Sequence, residues 1–191
     1  MKKIIIFALL IIVTSKLFSQ NEKFGIEVNY PVLIDNNFIG VNYNGIIDLG
    51  LSYSFINTTI ADFGVNFNTS IFRDSNKGGF SEIDITVISF QPSIYGEFKI
   101  NGLQKFRPIA RLGYTLLTFS NVIDFSTGEE IESNTSRGGL NLGLGVAYQI
   151  SNRVFLKFEY DFTKLYETGR LSRSPFNTNI NILAIGLSYK L

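Results

Sequence analysis

The chain has 191 residues, 45% hydrophobic and 17% charged, with a formal net charge of +1 and no cysteine, histidine or tryptophan. So even a charge balance leaves no footprint for nucleic acid, and a chain without cysteine carries no disulfide, thiolate metal site or cysteine-linked lipid anchor. The lack of histidine removes His-based catalytic triads and the usual zinc ligand sets.

Met1-Lys2-Lys3 precede an unbroken apolar run from Ile4 to Val13. A charged head followed by a run of this length reads as a secretory signal peptide. It falls short of the about 20 residues that span a bilayer as a helix; the other reading is a buried N-terminal element. Cleavage is expected after Ser19, leaving Gln20 first, with Ser15 as a second site. The expected organisation is therefore a signal peptide over 1–19 and one domain over 20–191. Without Lys2, Lys3 and Lys16, acidic residues slightly outnumber basic ones. No later stretch approaches a transmembrane helix, so entry into a membrane requires a closed barrel, the other architecture that satisfies its backbone in lipid.

Eight segments then alternate with a period of two, which places successive side chains on opposite faces of a strand. The first, 24–32, sends Phe24, Ile26, Val28, Tyr30 and Val32 to one face and Gly25, Glu27 and Asn29 to the other. The second, 45–55, opposes Ile47, Leu49, Leu51, Tyr53 and Phe55 to Asp48, Gly50, Ser52 and Ser54. The third, 60–72, opposes Phe63, Val65, Phe67 and Ile71 to Asp62, Gly64, Asn66 and Asn68. The fourth, 82–100, begins with Ile83, Ile85 and Val87 outward and continues with Phe90, Ile94 and Phe98 outward, opposite Gln91, Ser93, Tyr95, Glu97 and Lys99. A one-residue bulge near Ile88 or Ser89 would produce that change of phase.

The fifth segment, 106–118, faces Phe106, Ala110, Leu112, Tyr114 and Leu116 outward and Arg107, Arg111 and Gly113 inward. The sixth, 139–150, alternates large apolar residues (Leu140, Leu142, Leu144, Val146, Tyr148, Ile150) with Gly, Asn, Ala and Gln. The seventh, 153–165, opposes Val154, Leu156, Phe158, Tyr160 and Phe162 to Lys157, Glu159 and Asp161. The eighth ends the chain with Leu183, Ile185, Leu187, Tyr189 and Leu191 outward and Ala184, Gly186, Ser188 and Lys190 inward. Pro31, Pro92 and Pro108 are expected near strand ends, where a missing N–H costs least.

Connections after the second, fourth and sixth segments are short: 56–59, 101–105 and 151–152. Those after the others are longer and polar: 33–44, 73–81, 119–137 and 166–177. Short turns on one rim and long loops on the other are the layout of an outer-membrane barrel, whose lipid-facing side is apolar and whose lumen is polar. The expected fold is all-β, an eight-stranded antiparallel up-and-down transmembrane barrel with both termini on the short-turn, periplasmic side.

The chain resembles the small OmpA/OmpX-type outer-membrane barrels, and more closely the β-barrel domain proteins common in Bacteroidota. The residues that carry the resemblance are the leader with Ser19-Gln20, Arg107-Pro108 with Gly113-Tyr114, the stretch 143–148, and the ending 186–191. The resemblance covers essentially the whole domain and speaks to architecture. It implies outer-membrane lipid and the insertion machinery as partners. Such barrels often end in Phe or Tyr; here Leu191 keeps the same outward, hydrophobic phase.

Eight strands enclose a lumen just wide enough for side chains. Inward charges there must pair, since lone buried charges are very costly. The expected lumen network is Glu27, Asp48, Arg107, Arg111, Lys157, Glu159 and Asp161, centred on Arg111, with Asp62 and Glu97 as further inward carboxylates. Glu159 and Asp161, about 7 Å apart on one strand face, could instead form an acid/base pair, but that chemistry needs an accessible cleft. Gly143-Leu144-Gly145 is half a dinucleotide fingerprint with no helix after it. Asp35-Asn36-Asn37 and the acidic run 129–132 could offer oxygens to a cation, although Ca²⁺ takes 6–8 converging ligands. Tyr30, Tyr53, Phe55, Phe98, Phe106, Tyr148, Tyr160, Phe162 and Tyr189 are candidates for interfacial girdles.

Three functions fit to different degrees. A structural or surface-interaction barrel displays four loops, with an unknown surface or envelope protein as a possible partner. A narrow channel is disfavoured because aqueous pores appear at about 16 strands. A secreted lipocalin-type carrier would invert the polarity and carry an early Trp, which is missing. The expectation is a non-enzymatic barrel without catalytic, metal or cofactor residues.

Overall fold

The computed structural model describes residues 23–74, 83–124, 130–166 and 174–191. The expected signal peptide over 1–19 lies outside the described residues. Eight strands form: β1 (Phe24–Leu33), β2 (Tyr43–Asn57), β3 (Ala61–Asp74), β4 (Ile83–Phe98), β5 (Phe106–Asp124), β6 (Glu130–Gln149), β7 (Val154–Leu165) and β8 (Asn179–Lys190). Each pairs with its neighbours in chain order, and the sheet closes into a barrel. The closing seam is antiparallel, running from Gly25 opposite Lys190 to Leu33 opposite Ile182. Leu191 N donates to Phe24 O at 2.8 Å, so the two chain ends meet on one rim. The turns 58–60, 99–105 and 150–153 share that terminal rim. The opposite rim carries two short helices, α1 (Phe38–Asn42) and α2 (Pro175–Thr178). Asn37 caps α1 by accepting from Gly40 N at 2.8 Å.

The pleat sorts the side chains as the two-residue period requires. Leu49, Leu51, Phe67, Ile94, Leu112, Leu142, Leu144, Phe158 and Leu187 are exposed on the outer face, whereas Glu27, Asp48, Asn66, Arg111, Asn141, Lys157, Glu159 and Asp161 are buried in the lumen. The aromatic girdle candidates face outward, and several meet near the terminal rim. Phe24 packs on Tyr53 with ring centroids 4.7 Å apart, and Phe106 on Tyr148 at 4.9 Å.

Four local expectations need correction. First, β4 has no bulge near Ile88 or Ser89: its register with β3 is continuous from Phe98 opposite Ala61 to Thr86 opposite Arg73. Val87 is fully buried inside the barrel, so the phase never changes. The apolar residues at the start of β4 looked out of phase because an apolar side chain was assigned to lipid by default. Second, the bulges lie in β2, between Gly45 and Ile47 and between Ser54 and Ile56. Each turns two consecutive side chains outward, Ile46 with Ile47 and Phe55 with Ile56, as an extra unpaired residue must. Third, much of 119–137 is strand: β5 pairs with β6 as far as Asp124 opposite Glu130. Beyond the apolar outer band both faces of a strand can be polar, and the alternation that marks a strand in sequence disappears. Fourth, Pro92 sits mid-strand. The β4–β5 ladder skips Gln91 and Pro92 between Phe90 opposite Leu116 and Ser93 opposite Gly113, consistent with a residue that has no N–H to give.

Candidate functional site

Among the described residues, buried polar chemistry is concentrated in the lumen, and it is layered along the barrel axis. At mid-height, β5 projects Arg111 inward. Its Nε forms an ion pair with Glu159 Oε1, and Nη2 lies 3.5 Å from Asp161 Oδ2. Nη1 donates to Asn66 Oδ1 at 3.0 Å and Asn68 Oδ1 at 2.8 Å. Lys157 Nζ donates to Glu27 Oε2 at 2.6 Å and stands 3.3 Å from Glu159 Oε2. Asp48 joins through neutral partners: Asn29 and Asn68 donate to its Oδ1 at 2.7 and 2.8 Å, and Ser70 to its Oδ2 at 2.6 Å.

The strand next door makes room for this cluster. Gly143 lies between Arg111 on β5 and Asp161 on β7. A Cβ there would come within 2.7 Å of Glu159 Oε1 and 2.8 Å of Asp161 Oδ1. The small residues of the sixth segment thus have a steric reason: they back onto the bulkiest charged groups of the lumen.

Toward the terminal rim lies a second cluster. Arg107 is placed here, apart from Arg111. Its Nη1 donates to Glu97 Oε1 at 2.9 Å and lies 3.9 Å from Asp62 Oδ2. Lys190 reaches the same Glu97 oxygen at 2.6 Å, and Lys99 reaches Asp62 at 2.6 Å. The Arg107 guanidinium and the Lys190 ammonium sit 4.9 and 4.8 Å from the centre of the Phe155 ring, an attraction between cation and ring quadrupole. Between the two clusters is a cavity of about 20 Å³ lined by Glu27, Tyr95, Glu97, Arg111, Lys157 and Lys190 among others. That is space for about one water and none for an organic substrate. Glu159 and Asp161 face Arg111 rather than a cleft.

Above Arg111 the lumen changes character. Thr115, Thr163 and Asn141 form a thin hydrogen-bonded layer, with Thr115 Oγ1 3.1 Å from Thr163 Oγ1 and Asn141 Nδ2 donating to the latter at 3.2 Å. Beyond it most described inward residues are apolar. Phe72, Val87, Leu117, Phe119, Leu165, Ile180 and Ile182 pack with Tyr43, and Ile39 of α1 closes the top. Arg137 places its guanidinium 5.2 Å from the Phe119 ring centre. Sequence reading missed this plug, although Phe72, Leu117, Phe119, Ile180 and Ile182 all share the parity of the inward residues on their strands. It placed Asn66 and Asn68 inward without pairing them to Arg111 or Asp48, and it missed Ser70.

At the loop rim, Asp35 accepts from Asn36 N at 2.7 Å and from Asn181 Nδ2 at 2.6 Å, while Asn37 caps α1. These oxygens serve loop structure. Glu129 and the side chains of 130–132 lie outside the described residues.

An outer face without charge on its lipid band, around a lumen of paired charges, is the inverse of a soluble carrier. The sequence profile of the outer membrane protein beta-barrel domain matches residues 5–190. The chain belongs to that family. Its fold is similar to the crystal structure of Ail, the attachment invasion locus protein of Yersinia pestis, solved with the heparin analogue sucrose octasulfate. That match has a TM-score of 0.57 at 16% identity and covers 88% of this chain and 97% of Ail. Neisserial surface protein A matches with a TM-score of 0.57 at 15% identity, over 88% and 97% of the two chains. OprG from Pseudomonas aeruginosa matches at 0.54 and 14%, over 88% and 95%. The search of curated proteins gave no match. At such identities the structural likeness speaks for the fold. Among the described residues, the outer face of this barrel is apolar and its buried inward face carries the charged and apolar side chains described above.

Proposed function

We propose that this outer-membrane barrel has a structural or surface-interaction role and is neither a pore nor an enzyme. In this reading a signal peptide over 1–19 delivers the chain, the termini and short turns face the periplasm, and the insertion machinery assembles it. The rim opposite the termini is the extracellular one, where a surface or envelope protein could meet the four connections it carries. The observation that supports this best is the filled lumen, with two charged clusters below and an apolar plug above. A solute crossing it would have to displace either buried ion pairs or close-packed rings, and both displacements are costly. Ail and Neisserial surface protein A are named for attachment and for the cell surface, which agrees with a displayed role without naming a ligand here.

Two measurements test the reading. In planar bilayers the purified barrel should give no sustained openings of pore size; such openings would replace it with the channel reading. In cell fractionation the chain should stay with the outer membrane until detergent is added, and release into buffer alone would refute the placement. A folded barrel should also migrate differently on a gel before and after boiling.

A further inference from the structure

Among the described residues, the outer face carries an apolar hollow between β4 and β5. Gly96 on β4 pairs with Ala110 on β5, and these two small residues form the floor of an apolar hollow of about 500 Å³ whose walls include Phe63, Phe98, Ile94 and Leu112. Phe63 and Phe98 meet edge to face at 6.4 Å. A Cβ on Gly96 would stand 3.1 Å from the Phe63 ring, so the glycine is what keeps the floor low between them. The hollow lies toward the terminal rim, close to the turn 99–105 that closes the same hairpin.

The charged residues in the three turns at that rim are all basic. The turns 58–60, 99–105 and 150–153 contain Lys99, Lys105 and Arg153 and no acidic residue. Lys99 is held by Asp62. Lys105 is exposed and has no ion-pair partner among the described residues. Lys99 is three residues from Gly96 and Lys105 five from Ala110, about 10 to 17 Å along the strands. One leaflet of the hydrocarbon core is about 15 Å deep. A lipid whose phosphate rests on the basic turn therefore has its acyl chain passing the Gly96–Ala110 floor within its own leaflet.

We propose that this hollow and turn form a site for one anionic phospholipid of the leaflet at the terminal rim, with an acyl chain in the groove and the phosphate at Lys105. The leaflet assignment rests on the proposed periplasmic placement of that rim. An annular lipid on a smooth barrel face gains no such shape match. Here the apolar fit gives retention, and the lysine gives preference for negative charge.

Native mass spectrometry tests this on the full folded chain released from nanodiscs of mixed phosphatidylglycerol and phosphatidylethanolamine. The wild type should retain one phosphatidylglycerol, favoured about fivefold over phosphatidylethanolamine, the factor expected of one lysine at an anionic surface. Ala110→Leu, which fills the groove, should lose retention of both lipids. Lys105→Glu, in an exposed turn, should keep an adduct but lose the preference. Val28→Leu, on an exposed outward position of another strand, should behave as wild type. Equal retention of both lipids by wild type and Lys105→Glu would overturn the headgroup site, and unchanged retention by Ala110→Leu would overturn the groove. A dimer that dissociates on Ala110→Leu would make a second copy the occupant and also overturn the proposal. Heat-dependent gel mobility of each variant reads folding separately, so loss of the barrel itself is distinguishable from loss of the lipid.

Discussion

The two halves of the lumen solve one packing problem by opposite chemistry. From mid-height toward the terminal rim, Glu27, Arg111, Lys157, Glu159 and Asp161 fill the space as charges joined through ion pairs, with Asn66 and Asn68 accepting from the Arg111 Nη1. Near the loop rim, Phe72, Val87, Leu117, Phe119, Ile180 and Ile182 fill it as an ordinary hydrophobic core. The charged half depends on completeness: removing one member strands its partners in a low-dielectric interior. The apolar half depends on volume: removing one member leaves a void that costs in proportion to its size. A barrel built from both halves therefore has one region that fails by unpairing and another that fails by loosening.

Substitutions can break or sharpen that contrast. Arg111→Leu should have the largest effect, about 3–5 kcal/mol, because Glu159 and Asp161 lose their shared cation; it is measured by denaturant unfolding of the detergent-folded barrel followed by circular dichroism. An unchanged midpoint would remove Arg111 from the centre of the charged half. Leu117→Ala should cost about 2–5 kcal/mol from the cavity it opens, and its effect should simply add to that of Arg111→Leu if the halves are independent. Asn68→Ala should be milder, about 1–3 kcal/mol, as Arg111 and Asp48 each lose one hydrogen bond to an uncharged partner. Lys99→Ala should shift stability by less than about 1 kcal/mol, since its side chain is 33% exposed and its pairing with Asp62 is screened. If Lys99→Ala matched Arg111→Leu, depth in the lumen would not be what sets the scale.

The outer face was legible in the sequence almost residue by residue, because lipid tolerates little else and the alternation is strict from Leu140 to Tyr148. The inner face was legible in composition but not in pairing. Parity alone puts Lys157 and Glu27 inside; that they touch depends on the closing seam between strands 130 residues apart in the chain. The apolar plug was hidden for a different reason. Val87 and Phe119 are apolar at inward parity, so an interior assumed to be polar turns the one into a bulge and the other into a loop. Arg107 was grouped with Arg111 because both point inward on β5, four residues apart. The separation into two clusters follows from height in the barrel, where Glu97 and Lys190 wait nearer the rim.

The closing seam has a consequence for how the molecule is made. Every other pair of neighbouring strands is joined by a single connection, whereas β1 and β8 are brought together from opposite ends of the domain. Seven hairpin-type pairings can grow from local contacts, but the last cannot begin until β8 exists, and such long-range pairing is the slow kind. Until then β1 and the last strand already formed are open edges, which lipid does not tolerate and other chains readily join. Assembly is therefore all-or-none with respect to the final dozen residues: a ribosome that stops short of β8 leaves a sheet with two hungry edges rather than a smaller barrel.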